Sequence, residues 1–211
     1  MADGDKKIIA LTFDDGPSET TSMKVLDKLK KYGVPGSFFL IGNNIVPERE
    51  YIIKEELAYG CDIENHSLTH SDMTGLDAET IRYEIEETTR RIVAVTGKEP
   101  EFFRPPYILY NDTMFDVIPY IFICGLACDD WVPEVTAEER ARKVLDGARD
   151  NMLVLLHDSE GNDNTVEALD IIIPELKNRG FEFVTVSELF ARAGIDKSNA
   201  KRIVYTCTDD Q

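Results

Sequence analysis

Two adjacent carboxylates, Asp14 and Asp15, stand where the apolar run Ile8 to Phe13 gives way to Gly16-Pro17. Such a run reads as a buried strand, and Gly-Pro as the turn that ends it. Carboxylates at the end of a core strand lose part of their hydration, and adjacent like charges repel. A cation or a proton therefore has to share the site. His66 and His70 lie four residues apart. On a helical turn that spacing sets both imidazoles on one face, as in metal-ligand pairs. Two imidazoles and one carboxylate, Asp15, make a metal site with positions left open for water and substrate. A metal there is a Lewis acid that lowers the pKa of a bound water from about 15.7 toward about 7. Asp14 then has a role as general base. His157, which directly follows the apolar run Met152 to Leu156, can act as general acid. It needs a carboxylate to orient it and hold its proton at neutral pH; Asp130 is the first candidate and Asp158 the second. Arg104, beside Pro105-Pro106, can pair with Asp14 and keep it ionised. Trp131 and Leu155 could wall a small apolar pocket.

Every one of these residues has a plainer reading. Asp-Gly is a common turn pair, so Asp14 can be a turn cap. The histidines can be surface, capping or strand-end groups, Arg104 an ordinary salt-bridge partner, and Trp131 and Leu155 core. Position favours the chemistry. The chain has only three histidines, and nearly every polar signal falls just after a strand. Active sites of parallel α/β architectures collect at the carboxyl ends of strands.

The elements that must carry these groups are legible as apolar runs. Strands are expected at Ile8–Phe13, Gly36–Ile41, Cys61–Asn65, Glu101–Arg104, Ile121–Leu126, Met152–Leu156 and Phe181–Val186. Helical periodicity runs over Met23–Tyr32, from Pro47 to Gly60, over Asp77–Val95, from a Thr136/Glu139 capping box to Ala148, over Val166–Arg179 and over Ser187–Ala193. Pro174 is expected to kink or restart its helix. Strand and helix alternate about seven times, which predicts an α/β fold with a parallel sheet and outer helices. The 211 residues fall short of a standard eight-unit barrel of about 250, so a smaller or imperfect barrel is expected. One domain over residues 1–211 is expected, with the tail 196–211 packing back through Ile203-Val204-Tyr205.

An apolar fraction of 43% is that of a globular protein. The net charge of -17 argues against nucleic acid or an anionic membrane as partner and helps attract a cation. The four cysteines, Cys61, Cys124, Cys128 and Cys207, form no Cys-x-x-Cys pair and read as free, buried thiols. No signal peptide or membrane span is legible. The opening Met-Ala-Asp-Gly-Asp suits an intracellular terminus or a domain cut from a longer secreted protein.

Five motifs, in order, resemble the NodB-homology polysaccharide deacetylases, carbohydrate esterase family four. They are Thr12-Phe13-Asp14-Asp15-Gly16-Pro17, Asn65-His66-Ser67-Leu68-Thr69-His70, Arg104-Pro105-Pro106-Tyr107, Asp130-Trp131 and Leu155-Leu156-His157. The resemblance implies a distorted (β/α)7-type barrel with parallel inner strands. It implies one divalent metal on Asp15, His66 and His70, with zinc the default and cobalt or nickel alternatives. Asp14 would be the base, steadied by Arg104, and His157 the acid, tuned by Asp130. The Tyr107 backbone N–H would stabilise the oxyanion, and Trp131 and Leu155 would flank the acetyl methyl.

The sequence departs from the family at Ile108, where a glycine is usual. Ile lacks glycine's conformational freedom, so a differently shaped loop is expected. The implied reaction is release of acetate from an acetylated glycan by a monomeric enzyme, secreted or at the cell surface. N-acetylglucosamine polymers of peptidoglycan or chitin type are the first expected substrate, and O-acetylated xylan the alternative. An inactive glycan-binding relative is the competing class. An aspartyl-phosphate phosphatase is disfavoured, since that chemistry wants its two acids one residue apart.

Overall fold

The computed structural model describes residues 6–200 and 202–210. The first five residues, on which the expectation about the terminus rests, lie outside that range. The chain runs β1 (Lys7–Asp14), α1 (Ser22–Tyr32), β2 (Ser37–Leu40), α2 (Glu50–Tyr59), β3 (Asp62–Asn65) and α3 (Ala78–Thr96). It continues through β4 (Phe102–Phe103), α4 (Asp112–Val117), β5 (Ile121–Ile123), β6 (Leu126–Ala127), α5 (Ala137–Gly147) and β7 (Met152–His157). It ends with α6 (Asp163–Asn178), β8 (Phe181–Phe183), α7 (Val186–Ala193) and β9 (Val204–Tyr205). All named strand pairs are parallel, in the order β6-β7-β1-β2-β3-β4-β5-β9, with β8 also on β1. The result is the expected parallel sheet, curled into a barrel-like shell with helices outside.

β1 is the central strand and is buried on both faces, which is why it reads as a continuous apolar run. Its side chains alternate with period two. Ile9, Leu11 and Phe13 join the larger core with Val25, Leu26 and Leu29 of α1 and Leu169, Ile172 and Ile173 of α6. Ile8 and Ala10 face a second core with Phe102, Ile123, Leu153 and Phe190. Thr12 and Asp14 continue that second face upward. Register puts Asp14 beside His157 of β7 on one side and Phe39 of β2 on the other.

The capping box of α5 forms as expected between Thr136 and Glu139. Three details differ from the sequence reading. The strand expected over Ile121–Leu126 breaks at Cys124-Gly125, where Gly125 has φ 153°. β5 pairs with β4, whereas β6 crosses to pair with β7. α6 runs unbroken through Pro174. α4, only six residues long, was too short for a periodic signal.

The C-terminal segment spans the gap between β5 and β7. β9 adds to β5, and beyond it the Leu153 N–H donates to the Thr206 carbonyl at 3.0 Å. Met152 and Cys207 form an antiparallel bridge.

Candidate active site and metal centre

Asp14, the last residue of β1, is 1% exposed. The Arg104 Nη1 donates to its Oδ1 at 2.5 Å. Arg104 is fully buried, and its Nη2 also donates to the Thr12 hydroxyl at 2.8 Å and to the Cys124 carbonyl. Its guanidinium lies 4.5 Å from the centre of the Phe39 ring. With one oxygen of Asp14 occupied, the other, Oδ2, faces His66 Nε2 at 3.7 Å.

Asp15 follows with φ 77°, a left-handed residue that swings its side chain away from that of Asp14. The Asn44 amide donates to its carbonyl at 2.7 Å. Asp15 Oδ1 lies 3.5 Å from Nε2 of His66 and 3.5 Å from Nε2 of His70. These three ligand atoms lie within 4.8 Å of one another. Asp15 Oδ1 is buried without a hydrogen-bond partner, an arrangement that wants a cation. His66 Nδ1 sits 2.7 Å from the Arg104 carbonyl. A carbonyl only accepts, so Nδ1 carries the proton and Nε2 presents its lone pair to Asp15 and His70. Burial alone would raise the Asp15 pKa; the neighbouring His66, His157 and His70 bring it down to about 2. Burial, reinforced by His66, lowers His70. An ionised carboxylate and neutral imidazoles are the ligand states a divalent ion takes, so the donor set fits one.

His66 and His70 do not share a helical turn. They flank a loop in which Ser67 and His70 have φ of 65° and 56°. Side chains replace the helical hydrogen-bond ladder. The Asn65 side chain accepts from the Ser67 N–H at 2.9 Å. Glu84 of α3 accepts from the N–H groups of Leu68 and Thr69 at 3.0 and 2.9 Å and from the Thr69 hydroxyl. Spacing four brings the rings together by a different route, with centroids 4.8 Å apart.

On the opposite flank, Asp130 is buried and holds His157 twice. Oδ1 accepts from ring Nδ1 at 2.8 Å and Oδ2 from the His157 backbone N–H at 2.7 Å. Burial alone would lower the His157 pKa, but this carboxylate, helped by the charges of Asp14 and Asp15, raises it to about 9. Asp158, the second candidate, turns elsewhere and accepts from the Ser22 hydroxyl.

The groups line one cleft of about 470 Å3. Asp14, Asp15, His66, His70 and His157 form its floor, and Tyr107, Trp131 and Leu155 stand at its walls. Arg104 and Asp130 lie behind it, each against the residue it supports. Tyr107 and Ile108 both have left-handed backbones, φ 57° and 56°. Ile108 thus takes up the region a glycine adopts freely, at a cost of about 1–2 kcal/mol. The roles of Thr12, Glu84 and Thr165 were missed from the sequence. Glu84 had a signal: it shares the apolar face of α3 with Ile81 and Ile85 and is buried. Thr165, whose hydroxyl donates to Asp130 at 2.9 Å, had none.

A family model described as polysaccharide deacetylase matches residues 2–120. The chain is 48% identical over 191 residues to a bifunctional xylanase/deacetylase of Pseudobutyrivibrio xylanivorans, covering 90% of this chain and 32% of that one. A family 4 acetyl xylan esterase of Clostridium thermocellum, solved with a cobalt ion, superposes with a TM-score of 0.91. The two are 42% identical, over 95% of this chain and 98% of that one. A peptidoglycan-N-acetylglucosamine deacetylase of Bacillus cereus is 38% identical over 193 residues, 87% of this chain and 88% of its own length. The chain spans about a third of the length of the first curated relatives it matches. With the five motifs gathered in one cleft and the family model covering more than half the chain, the protein belongs to the polysaccharide deacetylase family.

Proposed function

We propose that this chain hydrolyses acetyl groups from a polysaccharide with one divalent ion held by Asp15, His66 and His70. The observation that carries the reading is the meeting of these three ligand atoms between a buried, Arg-paired carboxylate and an Asp-paired imidazole. Zinc is the first choice for two imidazoles and a carboxylate, and cobalt and nickel accept the same donors.

A divalent ion bound there supplies Lewis acidity toward water and the acetyl carbonyl. The protein's own groups do the rest. Asp14 takes the proton of the attacking water through Oδ2, while Arg104 occupies Oδ1. The Tyr107 N–H donates to the developing oxyanion; removing one such donor typically costs about 2.7–4 kcal/mol. His157 gives its ring proton to the departing alkoxide or amine, and acetate leaves. Trp131 and Leu155 bracket the acetyl methyl.

O-acetylated xylan is the leading substrate, supported by the relatives at 48% and 42% identity. N-acetylglucosamine polymers are the second, supported by the peptidoglycan deacetylase at 38%. Among the described residues, no helix is long and apolar enough to cross a membrane. A polymer of either kind points to action outside the cell, in a secreted or surface-attached protein.

Acetate release from acetylated xylan and from N-acetylglucosamine oligomers tests the reading, with chelator and with each metal restored in turn. Turnover that disappears with chelator and returns with zinc, cobalt or nickel supports it. A bound metal with no release from any acetylated glycan would leave the inactive glycan-binding relative.

A further inference from the structure

Behind the Asp130–His157 pair lies a buried cation that the proposed mechanism does not use. Arg140 of α5 is 1% exposed. Its hydrogen-bond partners are the carbonyls of Val132 and Val135, the Asn162 side-chain oxygen and the Thr165 hydroxyl, all uncharged. A guanidinium withdrawn from water without a carboxylate on it is costly unless its charge is used nearby.

Two short paths lead from it to His157. In the first, Arg140 Nη1 donates to Thr165 Oγ1 at 2.8 Å. A hydroxyl has one proton, so that of Thr165 goes to Asp130 Oδ2, 2.9 Å away. In the second, the Asn162 side-chain oxygen accepts from Arg140, and its amide donates to the His157 carbonyl at 3.0 Å. One path fixes the carboxylate that holds the ring, and the other fixes the backbone that bears it. Both donors are polarised by the same buried charge.

We infer that Arg140, acting through Thr165 and Asn162, is a positioning residue that sets the orientation of the Asp130–His157 pair. The inference rests on His157 being the acid in the proposed reaction. A plain structural role, tying α5 to α6, is the alternative. The two differ in their effect on leaving groups. The aryloxide of an activated aryl acetate departs without a proton, whereas a sugar alkoxide needs one.

The experiment compares kcat on an acetylated xylo-oligosaccharide and on 4-nitrophenyl acetate for wild type, Thr165→Val, Thr165→Ser and His157→Ala, all with metal loaded. Losing a hydrogen bond to a charged group should lower the sugar-to-aryl ratio of kcat by about 10- to 100-fold in Thr165→Val, with KM little changed. Thr165→Ser, which keeps the hydroxyl, should restore the ratio. An equal loss on both substrates in Thr165→Val, or a serine variant no better than valine, overturns the relay. His157→Ala provides the separate check. If its own ratio is that of wild type, the assignment of the acid fails and the inference fails with it. If its ratio falls and that of Thr165→Val does not, only the relay fails.

Discussion

At the residue scale, the proposed acid His157 and the proposed ligand Asp15 sit in opposite environments. Asp130 holds the His157 proton with a pKa raised to about 9, whereas Asp15 is held ionised, down to about 2. An acid is active only while protonated. The rate on an unactivated acetyl sugar should therefore be sustained above neutral pH and fall as pH rises through about 9. Asp130→Asn removes the largest influence that opposes burial and leaves only Asp14 and Asp15 against it, which lowers the pKa. In a pH–rate profile its alkaline limb should move to lower pH; an unmoved limb would contradict the role of Asp130. The identity of the acid has its own test. His157→Ala should slow cleavage of an amide far more than that of an activated ester, within the roughly 10²–10⁴-fold range of general acid catalysis. Equal losses would refute the role.

At the element scale, short strands deliver side chains and loops aim them. The strand ends were legible because their apolar runs stop at polar residues, and the histidine spacing marked the candidate ligand pair. The shape of the ligand loop was not legible, because it is set from a distance. Glu84 on α3 gathers two N–H groups and a hydroxyl of the His66–His70 loop, nothing in residues 66–70 announces it, and the histidine spacing alone suggests a helical turn. The break at Gly125 was hidden for a similar reason: Ile121–Leu126 is continuous in hydrophobicity, and only the partners of each half separate them. Glu84→Ala should free the loop and weaken metal binding by about 10- to 100-fold, as loss of groups that support metal ligands typically does. Calorimetric titration of the apo protein with zinc measures this; wild-type affinity in the variant would show that the loop keeps its shape without Glu84.

At the scale of the whole molecule, the site sits where the sheet brings distant segments together, and the tail completes the shell that carries it. Tyr205 is buried against Phe190 with ring centroids 5.3 Å apart, and Cys207 and Thr208 are buried beyond it. Tyr205→Ala should destabilise the protein by about 3–5 kcal/mol, the range for truncating a large buried aromatic. Chemical denaturation would measure the loss, and a change under 1 kcal/mol would mean that the tail does not brace β5 against β7. The central claim is that one divalent ion joins groups from two strand ends and one loop. Diffraction from cobalt-loaded crystals at the cobalt absorption edge tests it most directly. The account predicts one strong anomalous peak bonded to Asp15 Oδ1, His66 Nε2 and His70 Nε2, with Asp14 and His157 on either side. A peak bonded to His157, or none in this cleft, would contradict it.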